Sequence, residues 1–178
     1  MIEEIVYGKF WDRFGAYIID AIIIGIPSFG LNYLNFITLK SFYLYLPIAL
    51  IGLFYKPIME SKYQATLGKM VLDLKVTDLE LNKINFEKSL LRSLIFMLPA
   101  LIYLPVQFLA YDNPSLTELN GFWEFSQAIQ STYPLAGIFN CFFSIIFLVD
   151  LIMLISDDSK KQRSLKDRLA KTLVIKQK

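Results

Sequence analysis

The chain has 178 residues, of which 55% are hydrophobic and 19% charged, with a net charge of +2. This apolar share exceeds the roughly 45–50% of ordinary soluble domains, and a chain of this length could hardly bury the excess, so we expect a membrane protein. The absence of histidine and the single cysteine, Cys141, exclude histidine-based catalysis, most zinc sites and an intrachain disulfide. No phosphate-binding loop or nucleophile motif occurs, so we expect no enzyme, no cofactor, no bound metal and no nucleic-acid partner.

Four stretches of the chain are long and apolar enough to cross a bilayer, which takes about 20 residues. They lie at 14–37, 41–59, 89–111 and 134–155. Lysine and arginine collect before the first stretch, in the loop 60–88 and in the tail 156–178, whereas residues 112–133 contain neither. By the positive-inside rule, this pattern predicts one all-α domain, a four-transmembrane-helix bundle in the cell membrane with both termini cytoplasmic.

Two interfacial helices are predicted beside the spans. Apolar side chains recur near helical spacing at the N-terminus, as in helices that lie along a membrane surface. These residues are Ile2, Ile5, Val6, Phe10 and Trp11. The second helix is predicted after the third span, where Ser115 and Glu118 have capping-box spacing and aromatic residues follow at 122–125.

Short alternating segments outside the spans predict a small cytoplasmic β element. Residues 71–77 alternate apolar and polar side chains, as a half-buried strand does. The segment 83–86 is expected to pair back onto it, and 172–175 is a third candidate strand.

Asp20, Arg92 and Asp150 are charged residues inside three of the predicted spans, and they lie at similar depth from the cytoplasmic ends. A charged group there is costly, by about 2.5–3.5 kcal/mol on insertion scales, and usually faces the bundle or a water-filled cavity. The three residues therefore predict one polar cluster. It is either a site for a cation, a solute or a proton, or a structural ion pair in which Arg92 neutralises an aspartate.

Three segments, RFGAYIID at 13–20, TLGKMVLDLKV at 66–76 and SLKDRLAKT at 164–172, occur in one chain. Together they resemble the RDD family of small membrane proteins, which is named for an arginine and two aspartates. The resemblance makes Arg13, Asp20 and Asp167 the name-giving residues. It implies a membrane protein for which transport of ions or small solutes is the usual suggestion.

The other motif residues of this resemblance are Gly68 and Lys69, in the second segment. Two positions depart from the family pattern, because Lys166 stands where histidine is common and Lys171 where glycine is usual. A proton-relay role for that histidine therefore does not carry over to this chain.

Arg13 and Asp167 also have ordinary structural interpretations. Arg13 has the position of a basic anchor that reaches from a helix end to lipid phosphate. Ser164 and Asp167 have the spacing of a helix N-cap and its third residue.

The C-terminal tail is strongly basic. It is either a solvated charged segment or a clamp for anionic lipid headgroups, and its start directly after a span favours the lipid interpretation. The residues expected to contact lipid are Lys160, Lys161, Arg163, Lys166 and Arg168.

These patterns leave two functions open. One is transport of a small cation or solute through the polar site, which implies a homo-oligomer because four helices are few to enclose a pathway. The alternative is a scaffold or accessory subunit that does not transport and that recruits a membrane-complex partner through its cytoplasmic face.

Overall fold

The computed structural model describes residues 5–157, 159 and 161–177. Its four long apolar helices lie where the sequence predicts spans, at Phe10–Thr38, Phe42–Tyr63, Phe86–Asp112 and Pro134–Ile155. The first consists of α1 (Phe10–Asp20), a π-helical turn (Ala21–Gly25) and α2 (Ile26–Thr38). The others are α3 (Phe42–Tyr63), α5 (Phe86–Asp112) and α8 (Pro134–Ile155), and the short helices are α4 (Leu67–Val71), α6 (Pro114–Thr117), α7 (Phe122–Thr132) and α9 (Leu165–Leu169).

The π-helical turn interrupts the first long helix directly after Asp20. Pro27 follows it at the start of α2 and cannot donate a hydrogen bond to the carbonyl four residues earlier. The wider turn lies at this break in the hydrogen-bond ladder. Such turns frequently occur at functional sites.

α5 is the central helix of the bundle. It packs against α3 and α8, while α2 packs against α3. Near the C-terminal end of α5, buried side chains of α2, α5 and α8 form an apolar core with those of α6 and α7, and we call this part the loop end of the bundle. Its buried members are Phe36, Val106, Ala110, Leu116, Phe125, Ile129 and Ala136.

The interfacial helix predicted from Ser115 and Glu118 has a different N-terminus in the structure. Asn113 caps α6, and its side-chain oxygen accepts a hydrogen bond from the Ser115 amide (3.1 Å). Pro114 follows with the φ angle that a first helical position requires. The predicted aromatic segment begins a separate helix, α7, which continues to Thr132.

A three-stranded antiparallel sheet lies at the opposite end of the bundle, which we call the sheet end. Its order is β1 (Val6–Tyr7), β3 (Thr172–Lys176) and β2 (Leu74–Asp78). The candidate segment 83–86 contributes only an isolated bridge between Lys83 and Thr77, because Asn85 already caps α5. β3 pairs with both β1 and β2 and is therefore the central strand.

The prediction of an N-terminal interfacial helix is wrong for the described residues before Phe10. Val6 and Tyr7 pair with Lys176 and Ile175 of β3, and helix starts only at Phe10. β-branched and aromatic residues suit a strand that completes an open sheet edge. Ile2 lies outside the described residues.

Candidate functional site

A group of charged side chains lies where α1, α3, α5 and α8 meet the short helices α4 and α9 at the sheet end. We call it the polar network. Its members are Arg13, Asp20, Glu60, Lys69, Arg92, Asp150, Lys166 and Asp167.

Asp167 is the centre of this network. Its carboxylate binds Arg92 of α5 (Nη2 to Oδ1, 2.6 Å) and Arg13 of α1, although its own helix, α9, follows the last span. The Asp167 side chain is fully buried and that of Arg92 almost fully. One carboxylate therefore connects the C-terminal segment to two membrane-spanning helices.

Asp167 also stabilises the start of α9, as its spacing from Ser164 predicts. The Ser164 amide donates to the Asp167 carboxylate (3.3 Å). Burial by itself would raise the pKa of Asp167, but the charges of Arg92 and Arg13 outweigh burial and hold that pKa well below its ordinary value. Asp167 is therefore ionised at neutral pH.

Glu60, near the end of α3, forms the second part of the network. It pairs with Lys69 of α4 and lies 3.6 Å (Oε2 to Nη1) from Arg92. Burial lowers the pKa of Lys69 to about 8, because the charge of Glu60 only partly opposes the desolvation and Arg92 adds repulsion. The sequence interpretation did not single out Glu60. An acid in the last turn of a span is the signal that would have indicated it.

Asp20 is held by neutral donors. Its carboxylate accepts hydrogen bonds from the Tyr55 hydroxyl (2.8 Å), the Thr66 hydroxyl (2.6 Å) and the Gly68 amide (2.8 Å). Gly68 is required here by close approach, because a Cβ at this position would overlap the Ala16 carbonyl oxygen and come within 3.0 Å of Asp20 Cγ. Asp20 and Gly68 thus attach α4 to α1.

Asp150 pairs with α9. It accepts from the Lys166 amide (3.1 Å) and from the Lys166 ammonium group (2.8 Å). The predicted cluster of Asp20, Asp150 and Arg92 is therefore divided, because each residue has different hydrogen-bond or ion-pair partners. The three residues share one end of the bundle, but the described ion pairs do not join them to one another.

The basic tail makes several contacts within the protein. Arg163 donates to the Asp167 carbonyl (3.1 Å), Lys166 binds Asp150, and Arg168 pairs with Asp157 (3.3 Å). Lys161 is exposed, and Lys160 lies outside the described residues. Contact of the tail with lipid remains a prediction.

Four apolar helices with a buried polar network at one end define a small multi-pass membrane protein. The chain belongs to the RDD family, whose family model matches residues 7–171. No curated protein and no solved structure gave a significant match.

The structure assigns contacts to the family-motif residues. The name-giving Arg13 and Asp167 bind each other directly, while Asp20 and Gly68 form the separate attachment of α4. Lys171, at the position where glycine is usual in the family, has a φ of 52°, a conformation that favours glycine.

Proposed function

We propose that this protein is a non-catalytic scaffold or accessory subunit of the cell membrane, with both termini and the sheet on the cytoplasmic side. The observation that supports this proposal is that most of the buried charges form ion pairs within the protein. The carboxylates of Glu60, Asp150 and Asp167 each pair with a cation from another element. The network thereby holds the sheet, α4 and α9 as a fixed surface, which a partner could recognise.

The distribution of polar groups also favours a structural role. Toward the loop end, the described core is aromatic and aliphatic rather than charged. The buried Asn35 there hydrogen-bonds the carbonyl (2.9 Å) and amide (3.1 Å) of Ser41, which fixes the turn between α2 and α3. A route for a cation across a single copy of the bundle would be expected to have charged side chains in this half, and none of the described buried residues there is charged.

Orientation is inferred from the asymmetry of lysine and arginine. In a variant without Cys141, we expect a cysteine at exposed Glu118 to react with an impermeant thiol reagent added to intact cells. A cysteine at exposed Lys62 should react only after permeabilisation. The opposite labelling pattern would reverse the orientation, and labelling at both positions from outside would contradict the four-span topology.

Transport of a cation or proton is the second candidate function, and Asp20 is the observation that favours it. Among the described residues, Asp20 is the network carboxylate with no cation within ion-pair distance, and it lies beside the π-helical turn. Groups at such turns are often functional. On this alternative, a homo-oligomer would complete the pathway beyond Asp20.

An Asp20→Asn variant separates the two functions. Its side-chain oxygen can still accept from Tyr55 and Gly68, and the Thr66 hydroxyl can turn to accept from the new amide. We therefore expect the fold to persist without the charge. Purified protein in proteoliposomes, loaded with a pH- or cation-sensitive dye, should give the same flux as empty vesicles on the scaffold proposal. A flux in the wild type that Asp20→Asn abolishes would overturn that proposal in favour of transport.

A further inference from the structure

The side of α8 that faces the bundle is open in its middle. Residues spaced alternately four and three apart share this side, so they lie within one narrow arc of the helix. They are Ala136, Asn140, Phe143, Phe147, Asp150 and Leu154. Ala136, Asp150 and Leu154, toward the two ends, are at most 7% exposed, whereas Phe143 and Phe147 between them are 39% and 40% exposed.

The first long helix forms the opposite wall of this opening. α8 packs mainly on α5, α7 and α9, and the π-helical turn Ala21–Gly25 makes its main contacts with its own helix. At the sheet end the opening narrows, where the rings of Tyr17 and Phe147 lie 6.5 Å apart (centroid to centroid). We call this opening between α1–α2 and α8 the lateral cleft.

Two lysines lie at the narrow end of the lateral cleft. Lys56 Nζ is 5.2 Å from the Tyr17 ring centroid, and Lys166 Nζ is 5.2 Å from the Phe96 ring centroid. Phe96 in turn packs against Phe143 of the open face (6.0 Å between ring centroids). Both lysines therefore border the open face of α8, Lys56 through Tyr17 and Phe147 and Lys166 through Phe96 and Phe143.

Lys56 adds an unbalanced positive charge to this region. The polar network together with Lys56 contains five cations (Arg13, Lys56, Lys69, Arg92, Lys166) and four carboxylates (Asp20, Glu60, Asp150, Asp167). The other four cations each make an ion pair, whereas Lys56 makes none among the described residues. A ligand that brings one negative charge to Lys56 would balance the sum.

The depth of Lys56 in the membrane and the apolar surroundings of the cleft indicate which class of ligand would fit. Lys56 lies three residues before Met59, the predicted end of its span, which is about 4.5 Å inside that boundary along the helix axis. The open face of α8 beyond it, toward the middle of the bilayer, carries apolar rings, those of Phe147 and Phe143. An anionic head next to an apolar body is the composition of a phospholipid.

We propose that the lateral cleft binds one anionic phospholipid, with its phosphate at Lys56 and Lys166 and an acyl chain along the open face of α8. The Tyr17 and Phe96 rings already restrict the two lysine side chains, so these side chains lose less conformational entropy when a lipid binds. The site does not depend on whether the protein is a scaffold or a transporter.

The test is native mass spectrometry of delipidated full-length protein with two lipids of identical chains, phosphatidylglycerol and phosphatidylcholine. We expect one phosphatidylglycerol per chain, bound at least about fivefold more tightly than phosphatidylcholine. The choline group cancels the phosphate charge of the second lipid, and each lysine near a headgroup of net negative charge contributes about that factor. Lys56→Gln should weaken phosphatidylglycerol binding about fivefold. Lys62→Gln is the matched control, because Lys62 lies on the same helix and over a ring, that of Tyr63 (5.4 Å), but outside the cleft.

A second pair of variants tests the acyl-chain part of the site. Asn140→Trp fills the open face and should weaken both lipids, whereas Ile145→Trp, on the opposite side of α8, should weaken neither. Equal affinity of the wild type for the two lipids, or equal losses in Lys56→Gln and Lys62→Gln, would overturn the proposal. A dimer that binds no lipid, and that Asn140→Trp breaks while Ile145→Trp does not, would also overturn it, because a second copy would then fill the cleft.

Discussion

Asp167→Asn is expected to lower the free energy of unfolding by roughly 3–5 kcal/mol, the cost of removing one member of a buried ion pair. The substitution keeps the size of the side chain but leaves the buried guanidinium of Arg92, and that of Arg13, without their carboxylate. Denaturant or thermal unfolding of the purified protein in detergent measures this loss.

Asp12→Asn is the matched control for that experiment. Asp12 also occupies the third position of its helix and accepts from the N-cap amide, that of Lys9 (3.1 Å). Its ion pair with Lys176 is more exposed, so the loss should be no more than about 1 kcal/mol. Equal losses in the two variants would show that burial of the Asp167 pairs adds nothing to stability.

Gly68→Ala is expected to cost roughly 3 kcal/mol, at the upper end of the range for overpacking. The added methyl group would overlap the Ala16 carbonyl and displace α4 from α1, which also breaks the 2.8 Å hydrogen bond from the Gly68 amide to Asp20. The loss should appear in the same unfolding measurement.

Gly52→Ala provides the comparison for Gly68→Ala. A Cβ at Gly52 meets no atom within 4 Å, and this residue lies within α3. Alanine there should leave stability unchanged or raise it by up to about 1 kcal/mol, since glycine is the poorer helix former. A Gly68→Ala protein as stable as Gly52→Ala would contradict the close packing of α1 on α4.

The long helices could be predicted from the sequence because apolar length alone determines a span. The partners of the intramembrane charges could not. Counting residues from the span ends gives the depth of Asp20, Arg92 and Asp150, but it gives neither the rotation of each helix nor the position of segments outside the spans. Asp167 reaches Arg92 because α9 folds back onto the bundle, which the basic tail sequence does not indicate.

Local patterns had similar limits. The spacing of Ser164 and Asp167 correctly indicates a helix N-terminus. The alternating segment 71–77 overlaps β2 from Leu74 onward, and the third candidate segment, 172–175, lies in β3. Val6–Tyr7 is too short for its period to separate strand from helix, and its place is determined by pairing with β3. Tertiary contacts, rather than local preference, decide both the edge of the sheet and the centre of the polar network.

Buried ion pairs connect α9, and with it the sheet, to the membrane-spanning helices. A double-mutant cycle on Arg92→Gln and Asp167→Asn, measured by unfolding in detergent, tests this connection most directly. We predict that the double variant loses less stability than the sum of the single variants, with a coupling energy of roughly 1–3 kcal/mol. Additive losses, within about 0.5 kcal/mol, would contradict a direct interaction between α5 and α9 through this pair.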